Sequence, residues 1–318
     1  MSTTASANTA KPAIPAAGSF GAWILATRPK TLLVGLTPVL LGAASAYELR
    51  RDEIDTPWPI QWLAIVAALV GAILIQIGTN LANDVFDHEK GADTEERIGP
   101  LRVTQAGLLT PTQVRGGMIA CFAAAFLVGV YLTFVAGWPV VVIGLASIAS
   151  GIAYTGGPYP LGYNGLGDVF VAFFFGPVAV CGTCYVATHA FTPVSLVASF
   201  ECGALATAVL AVNNVRDVFT DTKSGKRTLA VRFGRKFGVA EYAVCIAIAE
   251  LVPVALVLFF GIHPAALLGL VTLPFAVKLV TTLAKNTDGE ILNGTLASTA
   301  KLLLIHGILL SIGIALPH

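Results

Sequence analysis

Two short segments of the chain carry side chains able to grip a charged group. In the first, Gln76, Asn80, Asn83, Asp84 and Asp87 recur at spacings of three or four and share one face of a helix. In the second, Asn213, Asp217 and Asp221 lie four apart and form another polar stripe. The two read as copies of one device in two halves of the chain, over residues 80–93 and 213–227. Carboxylates and amides are hard oxygen ligands. They suit Mg²⁺, which prefers to be shared between one or two carboxylates and the phosphates of a substrate. Basic residues follow each stripe: Lys90, Arg97 and Arg102 after the first, Lys226 and Arg227 after the second. Their charge-assisted hydrogen bonds suit phosphate oxygens. These residue types predict a metal-dependent diphosphate site, with Asn80, Asp84, Asp87, Asn213, Asp217 and Asp221 around the metal. Lys90, Arg102, Lys226 and Arg227 then face the phosphates.

The elements that must hold these residues are membrane helices. The chain is 56% hydrophobic and only 12% charged, against about 25% charged in a soluble domain. A bilayer core about 30 Å thick needs about 20 apolar residues per helix. On that ruler the sequence predicts an all-α bundle of nine spans, at residues 31–48, 62–84, 114–136, 138–155, 166–187, 193–217, 239–260, 263–284 and 296–316. Links as short as Gly137-Trp-Pro139 force neighbouring spans to run antiparallel. Of the 19 Lys and Arg residues, only Arg50 and Arg51 fall in a link on the side opposite the amino terminus. The positive-inside rule then puts the amino terminus and the two long polar links, 85–113 and 218–238, in the cytoplasm, and the carboxy terminus outside. Residues 1–19 lack an apolar core and a basic start, which predicts a disordered tail before a single transmembrane domain over 20–318. A net charge of +1 gives nucleic-acid binding no support. The five cysteines, including the CxxC pair Cys181 and Cys184, all fall in apolar runs and read as packing residues.

Ionised groups within membrane helices are expensive, so they face the bundle interior or a wet cavity and mark a site. One cluster of Asp and Asn beside Lys and Arg would read as an interfacial belt. Two matched clusters on one side, each leading into a long basic link, point to a shared site. Secondary transporters also pair polar helices, but near the bilayer midplane and on broken helices. Acids gathered at one membrane face beside long loops favour an enzyme.

The segments resemble the UbiA-type intramembrane prenyltransferases. The resemblance rests on Arg28-Pro-Lys-Thr31, on Asn80-Leu-Ala-Asn-Asp-Val-Phe-Asp87 with Lys90-Gly-Ala-Asp93, and on Gly99-Pro-Leu-Arg-Val-Thr-Gln105. It continues through Tyr154-Thr-Gly-Gly-Pro-Tyr-Pro-Leu-Gly-Tyr-Asn-Gly-Leu-Gly-Asp168, Asn213-Asn-Val-Arg-Asp217, Asp221 and Gly225-Lys-Arg-Thr-Leu-Ala-Val-Arg-Phe-Gly234. Within the family the chain is most similar to the menaquinone-synthesis branch. The resemblance implies a nine-helix bundle in a bacterial cytoplasmic (inner) membrane, Mg²⁺, a polyprenyl diphosphate donor and 1,4-dihydroxy-2-naphthoate as aromatic acceptor. Sister enzymes with a phytyl donor or another aromatic acceptor are the alternative. Relatives with a four-residue step in the first motif would carry the second acid at position 88, which is His88 here. That departure places Asp84 ahead of Asp87 as the expected ligand.

An acceptor pocket is expected at the Gly/Pro-rich turn between the fourth and fifth spans. There Tyr154, Tyr159, Tyr163, Asn164 and Asp168 fall together, and rings can stack on a naphthalene and flank a carbocation. The competing reading is a turn held by Gly and Pro, with Tyr as interfacial anchors. Glu250 and His306 lie alone in apolar spans, where a lone histidine reads as a packing residue.

Overall fold

The computed structural model describes residues 14–51, 59–92 and 98–317, and among them every regular element is helical. In chain order the helices are α1 (Phe20–Thr27), α2 (Pro29–Arg51), α3 (Trp62–Glu89), α4 (Pro111–Ala136), α5 (Pro139–Ala153), α6 (Gly167–Phe173), α7 (Ala179–Thr188), α8 (Pro193–Arg216), α9 (Val218–Lys223), α10 (Leu229–Phe233), α11 (Arg235–Phe260), α12 (Leu273–Lys285) and α13 (Gly289–Ala315). A π turn over Phe174–Val178 joins α6 and α7 into one kinked rod, and a 3₁₀ segment, Pro264–Thr272, leads into α12.

Local chemistry sets the boundaries. Thr110 and Thr192 form reciprocal capping boxes with Gln113 and Ser195, and Pro111 and Pro193 fill first-turn positions whose N–H would have no helical partner. Eight of the rods are long and apolar enough to cross a membrane. The fourth expected span, α5, has 15 residues, about 22 Å at 1.5 Å per residue, and is the short member of the set. The outward faces are apolar, with Phe134, Phe259 and Leu258 largely exposed to the surroundings, as a lipid-facing surface requires. The chain is a membrane protein.

The expected amino-terminal organisation needs adjustment. Residues 20–27 precede the first expected span, and there α1 forms with Ser19 as its cap and buries Ala22 and Ala26. Of the tail expected over 1–19, residues 1–13 lie outside the described residues. The last of it is tied down, since Gly18 N–H donates to the Leu108 carbonyl at 2.8 Å.

The two ends of the bundle repeat the charge partition of the sequence. Arg50 donates to the Thr188 carbonyl at 2.7 Å and Arg51 to that of Leu316, both at the end remote from the two motifs. The most enclosed rod is α8. A Cβ on its Gly203 would lie 2.5 Å from the Ala172 carbonyl, and one on Gly176 would lie 2.8 Å from that of Ser199. Glycine at both places lets the kinked rod meet α8 backbone to backbone. Deeper in the bundle, His306 is not a lone packing residue. Its Nδ1 lies 2.9 Å from Glu201 Oε1 and its Nε2 lies 3.8 Å from Glu250 Oε2, while Thr272 Oγ1 donates to Glu250 Oε1 at 3.2 Å.

Candidate active site

Helix α3 continues to Glu89, so Asp87 is still helical and in phase with Gln76, Asn80 and Asn83. These four line one cavity. Asp87 is almost fully buried and accepts three hydrogen bonds: from Tyr163 Oη at 2.7 Å, Arg102 Nη2 at 2.6 Å and Lys226 Nζ at 3.4 Å. Asn83 Oδ1 accepts from Thr155 Oγ1 at 2.9 Å, and Asn80 Nδ2 donates to the Thr27 carbonyl at 3.0 Å. Asp84, one residue further round the helix, is absent from the cavity wall. Its two oxygens accept the backbone N–H groups of Val103 and Thr104, both at 3.1 Å. The residue expected first as a ligand instead pins the segment that carries Arg102 to Asp87.

The second motif lies where α8 ends. Arg216 is the last residue of α8 and Asp217 is the hinge into α9. The Arg216 guanidinium forks onto Asp217, with Nε at 2.7 Å from Oδ1 and Nη2 at 2.6 Å from Oδ2. It also donates to Asn213 Oδ1 at 2.9 Å and Asn293 Oδ1 at 2.6 Å. Asp221 lines the cavity from α9. The chain then turns at Gly225, whose φ of +74° favours glycine, and Lys226 N–H donates to the Asp221 carbonyl at 2.9 Å. That turn sends the Lys226 ammonium back to Asp87, so the second motif reaches the first.

The cavity has a volume of about 770 Å³. Its charged residues gather at one end, and its depth is apolar, with Val34, Ile75, Leu132, Val140 and Phe174 in the wall. Ala68 and Asp87 both line it on α3, nineteen positions and thus about 28 Å of helix apart. At the charged end two ammonium groups approach the Tyr163 ring, Lys90 Nζ at 4.7 Å and Lys226 Nζ at 4.8 Å from its centre. Burial lowers the Lys90 pKa; Asp87 works against that shift and Lys226 adds to it. Burial, reinforced by Asp168, Asp87 and Asp221, pushes the Tyr154 phenol well above its usual range, so it stays a donor. Asp168 faces Asn214, whose Nδ2 donates to its Oδ1 at 3.1 Å.

Among the described residues, no three His, Cys, Asp or Glu side chains converge to cage a metal ion. The donors facing the cavity, Asp87, Asp217, Asp221, Asn83 and Asn213, are all hard oxygens. Such a set fits a small divalent cation that takes one or two carboxylates and completes its shell with water and phosphate oxygens.

The profile of the UbiA prenyltransferase family matches residues 36–292. The chain belongs to that family. It is 36% identical over 304 residues to 1,4-dihydroxy-2-naphthoate octaprenyltransferase of Escherichia coli, covering 93% of this chain and 96% of that one. The enzyme of the same name from Haemophilus influenzae is 35% identical over 298 residues, covering 92% and 95%. A solved UbiA homolog from Archaeoglobus fulgidus, bound to GPP and Mg²⁺, matches with a TM-score of 0.64 at 15% identity, over 91% of this chain and 99% of that chain. Another, the apo UbiA homolog from Aeropyrum pernix K1, gives 0.65 at 14%, over 89% and 96%. Both likenesses concern the fold.

In this UbiA-family chain the expected residues Asn80, Asp87, Arg102, Tyr154, Asn213, Asp217, Asp221 and Lys226 line the same cavity. Lys90 is not in its wall but packs its ammonium on the Tyr163 ring, which is. Besides Asp84, Lys90 and Asp168, three more expected residues stay outside the cavity wall. Tyr159 is exposed, Asn164 closes its own turn through the Pro160 carbonyl, and Arg227 is held through its backbone, its N–H donating to the Tyr163 carbonyl at 2.8 Å and its carbonyl accepting from Arg232 Nε at 3.0 Å. Proline and glycine shape that turn so that Tyr154 and Tyr163 face inward while Tyr159 sits at its tip. Arg97 lies outside the described residues. The sequence reading put Asn83 in the polar stripe without making it a ligand, and gave Arg216 and Asn293 no place in the site. Asn83 carried a signal, the strict 76, 80, 83, 87 phase. Arg216 stood beside an acid and counted only toward the basic side, and Asn293 has no local pattern. Arg28, in the first quoted motif, also lines the cavity, from a left-handed backbone conformation with φ 54°.

Proposed function

We propose that this prenyltransferase moves a polyprenyl group from polyprenyl diphosphate to 1,4-dihydroxy-2-naphthoate, releasing diphosphate and CO₂ and giving demethylmenaquinol. The reading places the enzyme in a bacterial inner membrane, with the amino terminus and motif-bearing loops in the cytoplasm and the carboxy terminus outside. The observation that carries it is the meeting of both motifs over one cavity, charged at one end and apolar for the rest, in a chain over a third identical to enzymes named for this reaction.

In this reading the donor's diphosphate lies among Asp87, Asp217, Asp221, Arg102 and Lys226, and its isoprenoid follows the apolar depth. Mg²⁺ is the metal that Asp87, Asp217 and Asp221 would hold with Asn83 and Asn213, and when bound it supplies charge stabilisation on the departing diphosphate. Arg102 and Lys226 bind the same oxygens, more strongly as the C–O bond breaks and its electron pair leaves with diphosphate. Tyr154 and Tyr163 present rings at the mouth of the apolar part, where they flank the allylic cation. The ring carbon that bears the carboxylate then bonds to the prenyl carbon. Loss of CO₂ returns the electron pair of the broken bond to the ring and restores aromaticity.

The test is to incubate membranes containing the protein with carboxyl-labelled 1,4-dihydroxy-2-naphthoate, Mg²⁺ and octaprenyl or phytyl diphosphate. Labelled CO₂ released with the octaprenyl donor is expected. Donor consumption without labelled CO₂ overturns the acceptor, and preference for the phytyl donor overturns the polyprenyl assignment.

A further inference from the structure

Two acids of the cavity are each held by a guanidinium. Arg102 Nη2 lies 2.6 Å from Asp87, with side chains only 5% and 1% exposed. Arg216, 1% exposed, holds Asp217 through two nitrogens. The oxygens that a divalent ion would use are therefore engaged by the protein's own cations. Arg216 does more than neutralise its neighbour. Its remaining donors reach Asn213 and Asn293, and Asn293 Nδ2 in turn donates to the Ile98 carbonyl at 3.1 Å. That last bond turns the Asn293 oxygen toward Arg216.

The charge balance around the cavity points the same way. Arg28, Arg102, Arg216 and Lys226 face Asp87, Asp217 and Asp221, four positive groups against three negative. A divalent cation arriving alone meets a site that is already positive and must dislodge a guanidinium from a desolvated pair. Diphosphate arriving with it reverses both terms, because it supplies negative charge and gives the guanidinium another partner. Arginine suits such an exchange, since its planar fork fits carboxylate and phosphate equally well.

We infer that Arg102 and Arg216 are internal counter-ions, which hold Asp87 and Asp217 before the donor arrives and pass to the diphosphate as the metal takes the carboxylates. Arg216 thereby gains contact with the diphosphate, a role the two-motif reading does not assign to it. Metal and diphosphate must then bind with positive coupling, each raising the affinity for the other by the same factor. The inference rests on the diphosphate donor proposed above.

The experiment measures Mn²⁺ binding to the purified full-length protein by electron paramagnetic resonance, with and without saturating inorganic diphosphate. In the wild type, diphosphate is expected to tighten Mn²⁺ binding by about tenfold or more. In Arg216→Gln, Mn²⁺ alone binds more tightly than in the wild type, and the diphosphate-induced gain shrinks toward unity. Arg102→Gln repeats the test at Asp87, in case the buried Arg216 variant does not fold. Absence of coupling in the wild type overturns the inference. So does a variant that binds Mn²⁺ no more tightly while keeping the full gain. Prenyl transfer is assayed on the same preparations. Wild-type transfer without coupling sinks the exchange alone, and coupling without transfer sinks the proposed reaction alone.

Discussion

Replacing Asp84 and Asp87 in turn by asparagine separates a ligand from a strut. Both acids are buried and sit three residues apart on α3, but their partners differ. Asp84 accepts two backbone N–H bonds, from Val103 and Thr104. Asparagine keeps one acceptor oxygen and turns an NH₂ group against the other N–H. A hydrogen bond to a charged group contributes about 1.5–3 kcal/mol, and every 1.4 kcal/mol is a factor of ten. Asp84→Asn should thus raise local opening of the segment around Val103 by about ten- to a hundredfold. That appears as faster hydrogen exchange at the Val103 and Thr104 amides, with activity falling because Arg102 is no longer held in place.

Asp87→Asn removes the counter-charge of Arg102 and Lys226 while leaving that segment closed. Its signature is loss of metal affinity in the presence of diphosphate, about tenfold or more if one carboxylate–metal contact is worth at least one charge-assisted bond. Metal affinity of Asp84→Asn should stay close to wild type. The decisive assay is Mn²⁺ binding with saturating inorganic diphosphate, run beside amide exchange. If Asp84→Asn loses as much metal affinity as Asp87→Asn while Val103 and Thr104 stay protected, Asp84 is a ligand and the division of labour drawn here is wrong.

Three further substitutions test the scaffold. His306→Ala leaves Glu201, fully buried, without its imidazole hydrogen-bond partner, and leaving a buried polar group unsatisfied costs about 1–3 kcal/mol. A clear drop in Tm is expected with catalytic rate per folded molecule retained, and an unchanged Tm refutes the pairing. Gly203→Ala puts a Cβ 2.5 Å from the Ala172 carbonyl, an overpacking that costs about 1–3 kcal/mol. Gly182→Ala, whose nearest neighbour would be Ile143 Cδ1 at 3.8 Å, should unfold close to wild type. Equal Tm values for the two variants would contradict the backbone contact between α8 and the kinked rod.

The contrast between those two glycines shows where sequence reasoning stops. Lipid forces each span to be a long apolar run, so the rods, their turns and their charged ends were legible without coordinates, and Arg50 and Arg51 do mark the end remote from the motifs. The pairing of the motifs was legible too, because ionised groups in a bilayer need a common wet site. What a single sequence does not specify is phase. Asn83 and Asp84 are adjacent, and one residue of helix is a rotation of about 100°. One of them faces the cavity and the other a backbone segment twenty residues on. Counting spacings of three and four admitted both, whereas the strict run of 76, 80, 83 and 87 admits only Asn83. The same limit hid Arg216. Its role depends on where α8 ends and on an amide from α13 that has no neighbour in sequence. The candidate site is thus written in the chain as two matching stripes, but the guanidinium groups paired with its acids are chosen by the packing of α3, α8 and α13.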